Sequence, residues 1–249
     1  MNTSDARPTS VLVTGANKGL GYETARRLGE LGWTVFLGSR DEGRGRAAAE
    51  KLAAEGVHVV PVPLDVTSDA SVAEAVRLVG EHTDRLDVLV NNAGTPGRIV
   101  PPAEATAEEV HGAFDTNVYG PVRVTHAFLP LLRAAENPRV VMVSSAGGSF
   151  AVVTDPDQPV SRMHELAYSS SKAALNMLTL RYAQALPEIK FNATTPGEVA
   201  NRAFAATDMN NNTGTLTVTE GTDSIVRLAT LGPDGPTGTF TDRLGPVVW

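Results

Sequence analysis

Tyr168 and Lys172 stand four positions apart in the run Tyr168-Ser169-Ser170-Ser171-Lys172. The run opens a stretch, from about Ala167 to Leu186, that reads as a helix. On a helix, positions four apart lie one turn above each other on the same face. A phenol and an ammonium would then sit side by side. A free tyrosine titrates near pH ~10, too high to exchange protons readily at neutrality. Bringing it toward ~7 needs about 4 kcal/mol of preference for the phenolate. An ammonium roughly 5 Å away, at an effective dielectric of about 20, supplies on the order of 3 kcal/mol. The pair is therefore a candidate general acid and base for a carbonyl/alcohol couple. Taken alone, a Tyr and a Lys at this spacing usually decorate a surface, so the reading depends on the rest of the chain.

The elements that must position this pair follow in order. Val11-Leu12-Val13-Thr14 is a short apolar, β-branched run, the signature of a buried parallel strand. The turn Gly15-Ala16-Asn17-Lys18-Gly19-Leu20-Gly21 follows, then a helical pattern to about Leu31. Strand, glycine-rich turn and helix make a corner whose backbone N–H groups can approach a pyrophosphate at a positive helix N-terminus. Trp33 to Leu37 reads as the second strand and ends at Gly38-Ser39-Arg40. An acidic side chain there would favour a ribose 2′-hydroxyl. Ser39 and Arg40 instead suit a 2′-phosphate, with Lys18 and Arg44 as further cations. This predicts NADP(H) rather than NAD(H); the plainer alternative is that Arg40 caps a surface loop.

Helices are expected over about 42–55, 71–81, 106–131 and 220–231, and strands over 57–62, 86–90, 139–143, 189–194 and 237–240. Asp65, in Leu64-Asp65-Val66-Thr67, is either an acceptor for an adenine amino group or a turn or cap residue. Asn91-Asn92-Ala93-Gly94 closes the fourth strand. Its small Ala93 and Gly94 let the backbone lie against a cofactor, and Asn91 or Asn92 can tie neighbouring strands. Asn117 sits inside a helical stretch where asparagine is unfavourable, so it is either a kink with a purpose or a tolerated polar residue. Ser145 lies at the carboxyl end of the fifth strand, where open α/β sheets place ligands. Segment 146–167 has loop chemistry and is expected to form a lobe beside the site. Pro196, Gly197 and Val199, after the sixth strand, are expected cofactor contacts, and the polar segment 198–219 is expected to act as a lid. Thr95, Phe150, Val152, Met163 and Phe204 are the expected substrate contacts.

Composition limits the alternatives. The 249 residues carry 21 basic against 28 acidic side chains and a net charge of −7, which argues against a nucleic-acid or anionic-membrane surface. There is no cysteine, so disulfides and thiolate chemistry are excluded. The five histidines form no metal-binding pair, and no apolar run reaches the ~20 residues of a membrane span. Residues 1–9 read as a flexible tail without an apolar signal core, which predicts a cytoplasmic protein. The alternation of strands and helices predicts a single Rossmann-type domain over 10–249, a doubly wound parallel β-sheet of the α/β class.

The ordered set Thr14-Gly15-x-x-x-Gly19-x-Gly21, Asn91-Asn92-Ala93-Gly94, Asn117, Ser145, Tyr168-x-x-x-Lys172 and Pro196-Gly197 resembles the short-chain dehydrogenase/reductase family. Within it, the glycine turn, Ser39-Arg40, the extended Ser–Tyr segment and the tryptophan-terminated tail most resemble NADPH-dependent carbonyl reductases. The resemblance implies that Tyr168 donates a proton to a carbonyl oxygen and that Lys172 lowers its pKa and binds the nicotinamide ribose. It implies that Ser145 hydrogen-bonds the substrate oxygen, and that Asn117 kinks its helix and holds a water linking Lys172 to solvent. Where the family commonly has Thr after Pro-Gly, this chain has Asn201. The implied function is reduction of a small to medium ketone or aldehyde by a monomer or homodimer. The rivals are alcohol oxidation or imine reduction on the same site, and a non-catalytic NADP-sensing protein.

Overall fold

The computed structural model describes residues 8–249. Most of the expected tail, residues 1–7, lies outside the described residues. Thr9 already accepts a hydrogen bond from the Thr34 amide at 2.9 Å, so the chain is tied to the sheet from there.

Strands β1 (Ser10–Val13), β2 (Thr34–Ser39), β3 (Val59–Pro63), β4 (Val88–Asn91), β5 (Arg139–Val143) and β6 (Lys190–Thr194) alternate with helices. These are α1 (Gly19–Glu30), α2 (Glu42–Ala54), α3 (Asp69–Gly80), α4 (Ala107–Phe114), α5 (Gly120–Arg133), α6 (Phe150–Thr154), α7 (Leu166–Ala185) and α8 (Val218–Ala229). A short hairpin, β7 (Gly197–Glu198) and β8 (Ala203–Phe204), and a last strand, β9 (Phe240–Thr241), complete the described elements. The sheet runs β3-β2-β1-β4-β5-β6-β9, with every pairing parallel. This is the expected doubly wound single domain. The order reverses between β1 and β4, which opens a crevice at their carboxyl ends.

Helices on both faces bury the sheet, which is why β1, β4 and most of β5 read as continuous apolar runs. Val11, Val13 and Val90 pack with Ala25 and Leu28 of α1, Leu52 of α2 and Ile225 of α8. Leu12, Phe36 and Leu89 pack on the other face with Val72 of α3, Phe128 of α5 and Leu175 of α7. The C-terminal Trp249 closes this second layer by stacking on Phe240 at 5.3 Å. Among the described residues no helix is long and apolar enough to cross a membrane, and no acidic or histidine cluster could hold a metal ion.

Two segments differ from expectation. Segment 146–167 is not irregular: a 3-10 turn at Ala146–Gly148, helix α6 and a second 3-10 turn at Pro159–Arg162 occupy most of it. Ser149 starts α6 by accepting the Val152 amide at 3.1 Å, a cap that a five-residue helix gives little periodicity to reveal. Segment 198–219 likewise begins inside the β7–β8 hairpin and carries a 3-10 turn at Asp208–Asn210.

Candidate active site

The crevice is built from the β1 turn outward. Gly15 has φ +63°, and a Cβ there would stand 2.9 Å from the Ala93 Cα, so only glycine lets the first turn lie against the end of β4. Asn92 fixes this contact by donating to the carbonyls of Thr14 at 2.8 Å and Gly15 at 3.1 Å. The Thr14 hydroxyl accepts from the amides of Asn92 and Ala93 in return. Asn91 points the other way, into the core, where it donates to Thr125 and to the Met142 sulfur. Helix α1 starts at Lys18 with no side-chain cap and no acidic residue in its first turn. The N-termini of α2, α3, α4 and α8 are all closed by side chains. The amides around Gly19, Leu20 and Gly21 therefore face the crevice uncapped, the arrangement an anion needs. Asn17 is half-buried beside them, and Leu20 packs toward α8 near Gly221.

At the end of β2, Ser39 is buried and donates to the Asp41 carbonyl, while Arg40 is exposed. Asp41 spends its carboxylate on the α2 cap, accepting the Arg44 amide at 2.9 Å, and the exposed Arg44 guanidinium lies 3.5 Å from it. Lys18 is paired with Asp208 at 2.8 Å, so the expected lid touches the glycine turn. Asp65 forms a turn, accepting from the Thr67 amide and hydroxyl, and the buried Val66 offers its carbonyl to Arg123.

Asn117 is buried in a π-helical turn, Asp115–Tyr119, between α4 and α5. Its side chain accepts from the Thr95 amide at 2.9 Å and donates to the Thr95 carbonyl at 2.8 Å and the Ser171 hydroxyl at 2.9 Å. Ser171 donates onward to the Tyr168 carbonyl at 2.7 Å. Such π turns recur at functional sites, and this one joins α4, the segment after β4 and α7 in one network. A Cβ on Gly94 would lie 3.3 Å from Asn117 Oδ1 and 3.6 Å from Lys172 Nζ, leaving a bare stretch of backbone over the lysine.

Tyr168, Lys172 and Ser145 come together as expected. Lys172 is buried, with Nζ donating to the Val143 carbonyl at 2.9 Å and lying 5.7 Å from the centre of the Tyr168 ring. Burial, with no carboxylate to offset it, pushes the lysine down to about 8. Tyr168 moves the opposite way from expectation. Burial pushes its phenol up to about 12, the hydrogen bond with Ser145 pulls it down, and Glu165 raises it further. Desolvation of the phenol outweighs the help that the cation was expected to give. The phenol of this site thus holds its proton firmly.

Several residues that hold this geometry have no clear signal in the sequence. Ser144 donates to Asn176 at 2.6 Å, and Asn176 donates to the Gly148 carbonyl at 3.0 Å. This pair locks the turn after Ser145 onto α7. Asn176 lies four positions beyond Lys172, one turn along the face that carries the pair, which is the one hint available. The expected substrate contacts divide. Thr95 lies in the Asn117 network, and Phe204 is half-buried in β8 against Gly197. Phe150 and Met163 are exposed, as is His164. Val152 is buried and borders a cavity of about 390 Å³ with Val199, Leu244 and Val247. Pro196 accepts from the Ala205 amide, which closes the hairpin behind it. Asn201, which stands where the family commonly has Thr, sits past the end of β7 and donates to Glu198 at 2.7 Å.

Comparison with known proteins identifies the family. The family profile described as short chain dehydrogenase matches residues 9–213. A (+)-neomenthol dehydrogenase of Capsicum annuum is 32% identical over 93% of this chain and 95% of its own. A salutaridine reductase of Papaver somniferum is 30% identical over 97% of this chain and 96% of its own. Among solved structures, the NADPH-bound carbonyl reductase from chicken fatty liver superposes with a TM-score of 0.84 and 30% identity, over 98% of this chain and 100% of that one. The chain belongs to the short-chain dehydrogenase family, a family of oxidoreductases that use nicotinamide cofactors.

Proposed function

We propose that the protein reduces the carbonyl group of a small to medium, uncharged ketone or aldehyde with NADPH, and that Tyr168 is the general acid. The observation that carries this reading is geometric: the Tyr168 phenol, hydrogen-bonded to Ser145, lies beside the buried Lys172, whose Nζ is 5.7 Å from the ring centre. A protonated phenol is the form that donation to a reacting oxygen requires. Held in the crevice, NADPH would supply the hydride for the carbonyl carbon, with the C=O π electrons passing to the oxygen. Tyr168 gives that oxygen its proton, and Ser145 donates a hydrogen bond that stabilises the charge as it develops. Lys172, whose Nζ lies 5.7 Å from the ring centre, steadies the phenolate left behind. Asn117 fixes Thr95 and Ser171 and so the walls on either side.

The crevice fits the cofactor. Its uncapped α1 turn suits a pyrophosphate, and the bare Gly94 backbone beside Lys172 suits the nicotinamide ribose. Arg40 and Lys18, with Arg44 behind them, suit a 2′-phosphate. The side chains of Asn91, Val66 and Asp65 are engaged elsewhere, so these residues would contribute through backbone or remaining oxygen atoms. Segment 198–219 is the lid and segment 146–167 the lobe over the ring. Relatives named for dehydrogenase or reductase action on neomenthol and salutaridine, and one solved with NADPH, support the same reading.

The test is NADPH consumption against a panel of cyclic and aromatic ketones, with the product alcohol identified. Arg40→Asp is expected to raise the KM for NADPH about tenfold or more, as loss of a charged phosphate contact implies, and to leave that for NADH nearly unchanged. Equal effects on both cofactors would refute the phosphate assignment.

A further inference from the structure

Arg123 stands in the first turn of α5, and its guanidinium reaches oxygen atoms of three different elements. Nη1 donates to the Val66 carbonyl at 2.7 Å and Nη2 to the Asp115 carboxylate at 3.3 Å. Nε lies 2.6 Å from the carboxylate of Asp69, the first residue of α3. A guanidinium is a rigid planar fork, so it cannot follow one of these partners without pulling on the others. The packing runs the same way. A Cβ on Gly120 would lie 2.9 Å from Val66 Cγ2 and 3.4 Å from the Asp115 carbonyl oxygen. The Gly120 amide donates to that same carbonyl and closes the π turn. Bare backbone at Gly120 is thus wedged between the two residues that Arg123 joins. Each of them leads to a different part of the crevice. Val66 follows Asp65 in the turn after β3, the place read above as the adenine end. Asp115 opens the π turn that carries Asn117. The Asn117 side chain holds Thr95 and Ser171, and Ser171 donates to the Tyr168 carbonyl.

We propose that Arg123 is a positioning residue that couples these two ends: a nucleotide seated against Asp65 and Val66 steadies the π turn, and with it Asn117 and the walls beside Tyr168. The proposal rests on the cofactor reading for what fills the adenine end, while the junction itself belongs to the fold. Contiguous hydrogen bonds and packing of this kind carry coupling between sites. The carboxylates of Asp69 and Asp115 both reach solvent, so their pull on the guanidinium is modest. A junction of that strength can be tightened by what happens at Val66. The π turn is the element it acts on, since one side-chain contact and one backbone bond at Asp115 set where the turn begins.

The experiment uses 2′,5′-ADP, the half of NADP that lacks the nicotinamide, on the full chain. Wild type is compared with Arg123→Met, Arg123→Lys and Asp115→Asn. Arg133→Met, on the same helix and paired with the exposed Glu188, is the control. Calorimetry gives the affinity, hydrogen exchange over residues 115–120 reports the π turn, and NADPH-coupled reduction gives the rates. In wild type and Arg133→Met, saturating 2′,5′-ADP is expected to slow that exchange about fivefold or more, the low end of a site-to-site coupling. In Arg123→Met and Asp115→Asn the ligand still binds and the slowing is lost. Arg123→Lys, which keeps the charge without the fork, recovers only part of it. Asp115→Asn, the milder change, carries the test should Arg123→Met fail to fold, and is expected to lower kcat with the KM for NADPH unchanged. Binding without slowed exchange in wild type, slowing that survives in Asp115→Asn, or an unchanged kcat in that variant overturns the proposal and leaves the cofactor reading standing. Slowing without any carbonyl turnover leaves the proposal standing and removes the reductase reading. Failure of 2′,5′-ADP to bind removes the NADP reading and the proposal together.

Discussion

At the scale of single residues, the Tyr168–Lys172 spacing was fully legible, because a four-residue step on a helix fixes adjacency whatever the fold. The direction of their proton affinities was not legible. Desolvation depends on Gly94, Gly148 and the π turn closing around Lys172, and no local pattern encodes that. The buried lysine has a consequence for stability. Its affinity is depressed from 10.5 to about 8, so the folded protein binds fewer protons than the unfolded chain between those values. Stability therefore rises with pH across that window, and the charged form is penalised below it. Lys172→Met is expected to abolish activity yet stabilise the free protein near neutrality by on the order of 2 kcal/mol, and to flatten the rise between pH 8 and 10.5. Urea unfolding at a series of pH values checks this; a destabilised variant with the slope intact would show that Lys172 is not held in a desolvating site.

At the scale of elements, the strands, the glycine corner and the long α7 could be read from apolar runs and punctuation, with ends displaced by one to three residues. Helix α6 and the β7–β8 hairpin could not. They are too short for periodicity, and their positions are set by distant partners: the Trp249 carbonyl accepts the Ala151 amide, and the Asp242 carboxylate accepts that of Val199. Asn117 stood out as misplaced in a helix, and the π turn shows why it is tolerated there. A close approach in the site is made between elements. A Cβ on Gly148 would lie 2.6 Å from the Lys172 carbonyl carbon and 2.8 Å from its oxygen, both backbone atoms that cannot turn aside. Gly148→Ala is expected to cost about 1–3 kcal/mol and to lower kcat by pushing the Ser145 turn away from α7. Thermal unfolding and steady-state rates measured together check it; an unchanged Tm would mean that the two elements are not in contact as described.

At the scale of the whole molecule, the strand order places three distant parts of the chain around one crevice: the β1 turn, the β4–β5 ends with α7, and the segment after β6. Fold class and the crevice's position followed from the alternation of strands and helices. The contact across the crevice did not, since Lys18 and Asp208 are 190 positions apart and neither stands in a pattern that names the other. Both side chains are largely exposed, so the bridge is a weak latch. A phosphate arriving at Lys18 would have to share it with Asp208. Asp208→Asn is expected to tighten NADPH binding by about two- to fivefold and to leave NADH binding unaltered. Fluorescence titration of both cofactors decides; weaker NADPH binding would mean that Asp208 supports the site instead of competing for it.

The central claim is that the Tyr168 phenol supplies the proton in carbonyl reduction. The most direct measurement is NADPH-coupled reduction of an accepted ketone by Tyr168→Phe, with NADPH affinity measured on the same preparation. Loss of about 10²–10⁴-fold in kcat with cofactor binding intact is the result expected of a missing general acid. Reduction at the wild-type rate by the phenylalanine variant would contradict the account.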